Sequence, residues 1–194
     1  KLIVEGKTRL IDVGHLTLDG HMERYFDNTV GVGFDGLVTM GCRKHKHLRG
    51  MALYLPVVLK TIFLDMKPPQ VEITYDGETI RQRTLMTVIA NGPREGATFW
   101  VAPEAKQDDG YLDLIMTEAM SKLQMLGMVP AFMNGSHVKD ERVTCKRVKQ
   151  VVISSEDPLY LHADGEILCD FVHRVEARII PGSLRIIASP SEAA

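Results

Sequence analysis

Hydrophobic residues fall on alternate positions through most of this chain, and that period of two limits its fold more than any other feature. Side chains of an extended strand point alternately to opposite faces, so such a segment buries one face and wets the other. "RLIDVGHLTL" and "HMERYFDNTVGVGF" read as strands. "QVEITYDGETIRQRTLMTVIAN" reads as a hairpin: Val71, Ile73 and Tyr75 alternate, Asp76-Gly77 turns, and Leu85 to Ala90 returns. "GYLDLIMTE" sets Leu112, Leu114 and Met116 on one face. "VKQVVISSEDPLYLHADGEIL" gives two further strands, and "FVHRVEARIIPGSLRIIAS" a final pair turning at Pro181-Gly182.

Two segments break the pattern. In "HLRGMALYLPVVLKTIFLDM", Leu48, Met51, Ala52, Leu55, Val58, Leu59, Ile62 and Phe63 recur at three- and four-residue steps, the spacing of an amphipathic helix kinked or restarted at Pro56. "SKLQMLGMVPAFMNG" repeats this with Leu123, Leu126, Val129 and Met133, capped by Ser121 and ended by Asn134-Gly135. The expected fold is mainly β, a β-sandwich with two helical insertions.

Composition excludes several classes. A formal net charge of -2 over 194 residues lacks the basic excess of a nonspecific nucleic-acid binder. Cys42, Cys145 and Cys169 are odd in number and lack CxxC spacing, which argues against a zinc site or disulfide framework and for a reducing, cytoplasmic setting. The longest apolar stretch is cut by Pro56 and Lys60, too short to span a bilayer. The first residues already read as strand, without an initiator Met, so a chain cut from something longer is expected.

Five Asp-Gly pairs punctuate the sequence, at Asp19, Asp35, Asp76, Asp109 and Asp164. Each alone reads as a turn, because Gly accepts positive φ and Asp bonds the local backbone. Two have chemical context. Asp109-Gly110 follows Asp108 in "PEAKQDDGYLDL", an acidic turn of the kind that holds a hard cation. Asp164-Gly165-Glu166 lies between the apolar flanks "LYLHA" and "ILCDFV", where a carboxylate can have a raised pKa and act as a base, the alternative being a hairpin with an outward Glu. Asp76-Gly77-Glu78 has the same tripeptide in a solvated hairpin. Glycine-rich "NTVGVGFDG" is neither a Walker A loop nor a dinucleotide fingerprint, and reads as close backbone packing or bulges. The basic run "RKHKHLRG", Arg43 to Gly50, reads as a solvated loop or a face for anionic lipid.

Taken in order, "RYFDNTVGVGFDGLV", "HLRGMALYL", "VIANGPREGATFWVAPEAKQDDGYLDLIM", "LHADGEIL" and "IIPGSLRIIA" resemble the C-terminal half of the diacylglycerol kinase / sphingosine kinase superfamily of soluble lipid kinases. The pattern P-x-A-x(3)-D-G-x-L-D followed later by D-G-E carries the resemblance. It implies that residues 1–194 are the second, β-sandwich domain of a two-domain kinase that moves the γ-phosphoryl group of ATP to a lipid hydroxyl such as that of diacylglycerol. It implies Glu166 as proton acceptor with Asp164 beside it. It also implies Mg2+ at the Asp-Asp-Gly turn, held by the Asp109 carboxylate and the Lys106 and Tyr111 carbonyls. Asn28 and Asn91 match polar positions near the interdomain cleft. The implied partners are a lipid substrate, a nucleotide-binding N-terminal domain and a peripheral membrane surface, with no nucleic acid and homodimerisation left open.

Two departures stand out. No Gly-Gly-Asp-Gly-Thr nucleotide motif occurs in the 194 residues, so the fragment alone is expected to be inactive. "REGATFW" is poorer in glycine than is usual after "NG". The competing expectations are a non-catalytic β-sandwich that binds lipid or protein and, ranked lower, an NAD kinase-like enzyme.

Overall fold

The computed structural model of the chain describes residues 6–44, 50–96 and 99–188. Two antiparallel sheets face each other and share one strand. β1 (Thr8–Leu18), β2 (Met22–Phe26), β10 (Val172–Ile187), β8 (Gln150–Leu159) and β4 (Gln70–Tyr75) make the first, in the order β2-β1-β10-β8-β4, with the start of β5 at its edge. β9 (Leu161–Ala163), β3 (Thr29–Gly33), the end of β5 (Glu78–Ala90), β6 (Leu112–Glu118) and β7 (Val143–Val148) make the second.

β5 shows why one strand serves both. Residues 78–83 are exposed or half-buried beside β4, whereas Thr84 to Ala90 are all buried. A strand covered on both faces reads as a continuous apolar run, and "LMTVIA" is that run. Its inner face meets the core between the sheets, where Ile89, Leu114 and Met116 pack with Ile73, Val151 and Val175. Its outer face, with Met86 and Val88, meets Met128 and Phe132 of a helical layer. Each fully buried side chain of this kind contributes about 1.5–3 kcal/mol.

Among the described residues three α-helices form that layer: α1 (Phe34–Arg43), α2 (Met51–Lys60) and α3 (Lys122–Asn134). α3 has the expected ends. The Ser121 hydroxyl accepts from the Gln124 amide, the Gln124 side chain accepts from the Ser121 amide, and Gly135 closes the helix with φ 79°. α2 runs through Pro56 instead of restarting there and ends in a π turn over Thr61–Asp65, where the Met66 amide donates to the Thr61 carbonyl. The expected helical residues divide: Val58 and Ile62 are buried, while Ala52, Leu55 and Phe63 are exposed. Leu48 and most of the basic run, residues 45–49, lie outside the described residues.

The structure differs from the sequence reading in three places. α1 is a third helix among the described residues, and its first turn contains the Asp35-Gly36 pair read as a turn. β7 is an additional strand. Residues 172–187 form one strand, not a pair: Pro181, Gly182 and Ser183 bulge opposite the single residue Asp12, whose carboxylate accepts from the Gly182 amide. The bulge absorbs a proline that has no N–H for the ladder.

Candidate functional site

The Asp164-Gly165 turn follows β9 as a two-residue hairpin. Asp164 has φ 49° and Gly165 φ 78°, and the Ala163 and Glu166 backbones exchange both hydrogen bonds. The Asp164 carboxylate reaches across to the β2–β3 connection and accepts from the amides of Asp27 (3.0 Å), Asn28 (3.1 Å) and Thr29 (2.9 Å). Asp164 therefore fixes the turn against the neighbouring strands. The Glu166 carboxylate is exposed and meets the Arg24 guanidinium at 2.5 Å. Asp76-Gly77-Glu78 has the same turn: Asp76, at φ 43°, accepts from the Lys149 and Gln150 amides, and Glu78 is exposed. Turn geometry is common to both tripeptides, so only their surroundings distinguish them.

Beside Asp164-Gly165 lies a cleft of about 570 Å3. Val38, Leu53, Tyr54 and Phe99 form an apolar wall, with Tyr54 and Phe99 rings 4.8 Å apart, and Asn28, Asp35, Glu95, His162 and Asp164 supply its polar groups. An apolar cleft with a few convergent polar groups is the usual form of a small-molecule or lipid site.

Three of those polar residues form a cluster. His162 Nε2 lies 3.0 Å from Asp35 Oδ2 and 3.7 Å from Glu95 Oε1, an oxygen with no hydrogen-bond partner. β9 supplies the histidine and the first turn of α1 supplies Asp35. They meet because Gly31 and Gly36 lack side chains. A Cβ on Gly31 would stand 2.2 Å from Asp35 Oδ2, and one on Gly36 2.4 Å from the Tyr160 carbonyl oxygen. Burial works against ionised Asp35, but His162 outweighs it and holds Asp35 below the usual carboxylate range. Burial, then the Asp35 charge, pushes Glu95 up to about 7. Burial disfavours a charged His162 ring, yet Asp35 and Glu95 together drive its pKa upward.

These three side chains are close enough to share a cation. The histidine's other nitrogen argues against one. The Gly165 N–H points at Nδ1 from 3.2 Å, so in the neutral ring, the form a metal would need, Nδ1 is the acceptor and Nε2 carries the proton. A metal on Nε2 would move that proton to Nδ1, against another N–H. The cluster is built as a hydrogen-bonded Asp35–His162 pair with the Glu95 carboxyl close beside it.

The Asp-Asp-Gly turn lies elsewhere, near the β10 bulge, where Asp12 accepts from both Gly110 and Gly182. The Asp109 carboxylate faces Arg147 and also accepts from the Tyr111 amide, while Asp108 pairs with Arg9. Lys106 is exposed in the same loop. As arranged, the turn does not fit Mg2+ without displacement: its carboxylates already carry protein cations. Burial, then Asp109, pushes neighbouring Asp113 up to about 6. Asn28 lines the cleft and donates to the Arg94 carbonyl. Asn91 is buried and donates to the Asp12 and Asp27 carbonyls.

Glu95 and His162, and the placement of Asp35, were not singled out from the sequence. The available signals were a histidine two residues before Asp-Gly-Glu and a glutamate inside the departing "REGATFW".

The profile of the YegS C-terminal NAD kinase beta sandwich-like domain family matches residues 28–188. A diacylglycerol kinase of Mycobacterium tuberculosis (strain ATCC 25618 / H37Rv) is 26% identical over 187 residues, 96% of this chain and 59% of that protein. A diacylglycerol kinase of Bacillus subtilis (strain 168) is 23% identical over 166 residues, 84% of this chain and 52% of that protein. Among solved structures, a diacylglycerol kinase from Bacillus anthracis str. Sterne superposes with TM-score 0.66 at 19% identity, covering 98% of this chain and 58% of that one. An NAD kinase from Archaeoglobus fulgidus in complex with ATP gives TM-score 0.52 at 12% identity, covering 97% and 58%. Both structural likenesses concern the fold. The chain spans little more than half the length of the curated relatives it matches.

Proposed function

Because this chain belongs to the YegS C-terminal NAD kinase beta sandwich-like domain family, we propose that it is the acceptor-binding half of an ATP-dependent lipid kinase, with diacylglycerol or a related lipid alcohol as substrate. The observation that carries this reading is the apolar-walled cleft opening beside the Asp164-Gly165-Glu166 turn. The wall suits acyl chains, and the polar floor suits a hydroxylated headgroup. The names of the relatives support kinase chemistry.

In this reading ATP is held by a nucleotide-binding half, and Mg2+ on its phosphates offsets their charge. Glu166 exchanges Arg24 for the lipid hydroxyl and takes its proton. The hydroxyl oxygen bonds to the γ-phosphorus as the bond to the β–γ bridging oxygen breaks, and ADP leaves. Asp164, held by three amides, positions the turn. The work is done peripherally, at the cytoplasmic face of a membrane.

The test joins the chain to its nucleotide-binding half and follows phosphate transfer from ATP to lipid alcohols. Glu166→Gln is expected to lower turnover by about 10²–10⁴-fold, and Glu78→Gln to leave it unchanged. Full activity in a folded Glu166→Gln protein would remove Glu166 from the base role.

A further inference from the structure

The helical layer carries an apolar surface on its outside as well as its inside. α2 buries Val57 and Val58 in the core, and Leu53 and Tyr54 line the cleft. The opposite face should then be polar. Instead Ala52, Leu55 and Pro56 are exposed there, and the π turn adds Phe63 and Leu64. α3 does the same: Met125, Met128 and Phe132 face inward, while Leu123, Leu126 and Pro130 face out.

The Lys122 ammonium donates to the Phe63 carbonyl at 2.6 Å, which ties the start of α3 to the π turn and joins the two exteriors. Leu64 at 73% and Leu123 at 76% exposure are the two most exposed large hydrophobic side chains described. Apolar side chains gathered like this mark a docking surface.

Charge selects the occupant. Residues 51–67 and 121–134 contain Lys60, Lys67 and Lys122 but one acid, Asp65, which pairs with Lys60. An isologous dimer through this face would set lysines against lysines. An anionic bilayer surface matches both the apolar centre and the basic rim. We propose that the exterior of α2, the π turn and α3 docks on anionic membrane, with Leu64 and Leu123 entering the headgroup–acyl boundary. This rests on the lipid-kinase reading for its purpose, because α2 is also the wall of the cleft, and docking it brings the cleft to the layer where a lipid acceptor resides.

The experiment uses the protein joined to its nucleotide-binding half. Flotation is measured with vesicles of phosphatidylcholine alone and with 30 mol% phosphatidylglycerol, at low and high salt, about the composition range that separates charge from burial effects. Wild type should float with the anionic vesicles, weakly with the neutral ones, and less at high salt. Leu64→Asp/Leu123→Asp should reduce anionic-vesicle partitioning at least about tenfold, while keeping its Tm and its turnover of a short-chain, water-soluble acceptor. Unchanged flotation of the double variant overturns the proposal. So does absence of vesicle binding in wild type, whether sedimentation shows the face closed by a second copy or by the other half of the protein. Flotation lost on substitution, in a protein that phosphorylates no lipid, would uphold the docking surface and refute the kinase reading instead.

Discussion

The backbone N–H of Gly165 donates to Nδ1 of His162 across 3.2 Å, inside the turn that also carries Glu166. This bond selects the Nε2–H tautomer for the neutral ring and couples the turn to the Asp35–Glu95 pair. Nitrogen-15 NMR of labelled histidine should show His162 releasing its proton from Nδ1, with Nε2 still protonated, and doing so only as pH rises above the usual imidazole range. Zinc at equimolar concentration should leave both signals in place. A zinc-dependent shift of Nε2 would overturn the assignment and restore the cluster as a metal site.

The same cluster sets a pH dependence of stability. Glu95 titrates near 7 in the folded protein, raised by burial and then by Asp35. A group raised on folding favours the folded state fully below its unfolded value, about 4.3, and loses that contribution as pH rises through 7. Stability should therefore fall between about pH 4.5 and pH 7.5, on the order of 2–3 kcal/mol. Glu95→Gln, which mimics the protonated acid, should flatten this segment in urea melts. An equally steep fall in the variant would move the responsible group elsewhere.

Glycine spacing governs whether the cluster forms. A Cβ on Gly36 would overlap the Tyr160–Leu161 backbone, so Gly36→Ala should force α1 off β9 and cost at least about 2 kcal/mol. Gly31→Ala should displace the Asp35 carboxylate from His162 and upset the Nε2–H signal. Gly127, in the middle of α3 with open space around it, supplies the control: Gly127→Ala should stabilise by about 0.5–1 kcal/mol. Equal melting points for all three variants would show that these close approaches do not matter.

Strands and turns were legible where the cause is local. Alternation exposes the half-solvated strands, and Asp19, Asp76 and Asp164 do adopt the left-handed turn conformation that Asp-Gly suggests. Ser121 and Gly135 announce the ends of α3 by capping chemistry alone. The failures have distant causes. Asp35-Gly36 opens a helix because Gly36 must pass the Tyr160 carbonyl, 124 positions away in sequence. Pro181-Gly182 forms a bulge because buried Asp12 waits opposite. Nothing in the neighbourhood of residues 35, 95 or 162 announces that the three will meet. The Asp-Gly-Glu tripeptides were visible, but what separates them is the cleft beside Asp164, and that exists only once α1, α2 and β9 are assembled.

The Asp164 carboxylate offers a sharper measure of turn against chemistry. Removing it leaves the amides of Asp27, Asn28 and Thr29 without their acceptor. Asp164→Ala also places alanine at φ 49°. Together these should cost about 2–3 kcal/mol. Asp164→Asn keeps one acceptor oxygen and tolerates the left-handed conformation, so it should cost about 1 kcal/mol or less. If Asp164 only holds the turn, activity in the joined protein should follow stability, with Asn close to wild type. Lost turnover in a fully folded Asp164→Asn variant would give this carboxylate a direct part in the reaction.

Arg147 decides what the Asp109 turn can bind. Its guanidinium lies on the Asp109 carboxylate and stacks 4.6 Å from the Tyr111 ring centroid. Mg2+ held by Asp109 with the Lys106 and Tyr111 carbonyls would compete for the same oxygen. Millimolar Mg2+ should therefore change the melting temperature of the wild-type protein very little. Arg147→Met vacates the carboxylate and leaves it charged beside Asp113, which favours a cation. At ten times its dissociation constant, Mg2+ binding would add about 1.4 kcal/mol, or roughly 3–5 °C for a chain of this size. A shift that large in wild type would show that ion and guanidinium use different oxygens and that the turn is a metal site with Arg147 in place. No shift in either protein would mean that Arg147 is a structural partner of the turn and that Mg2+ has no seat there.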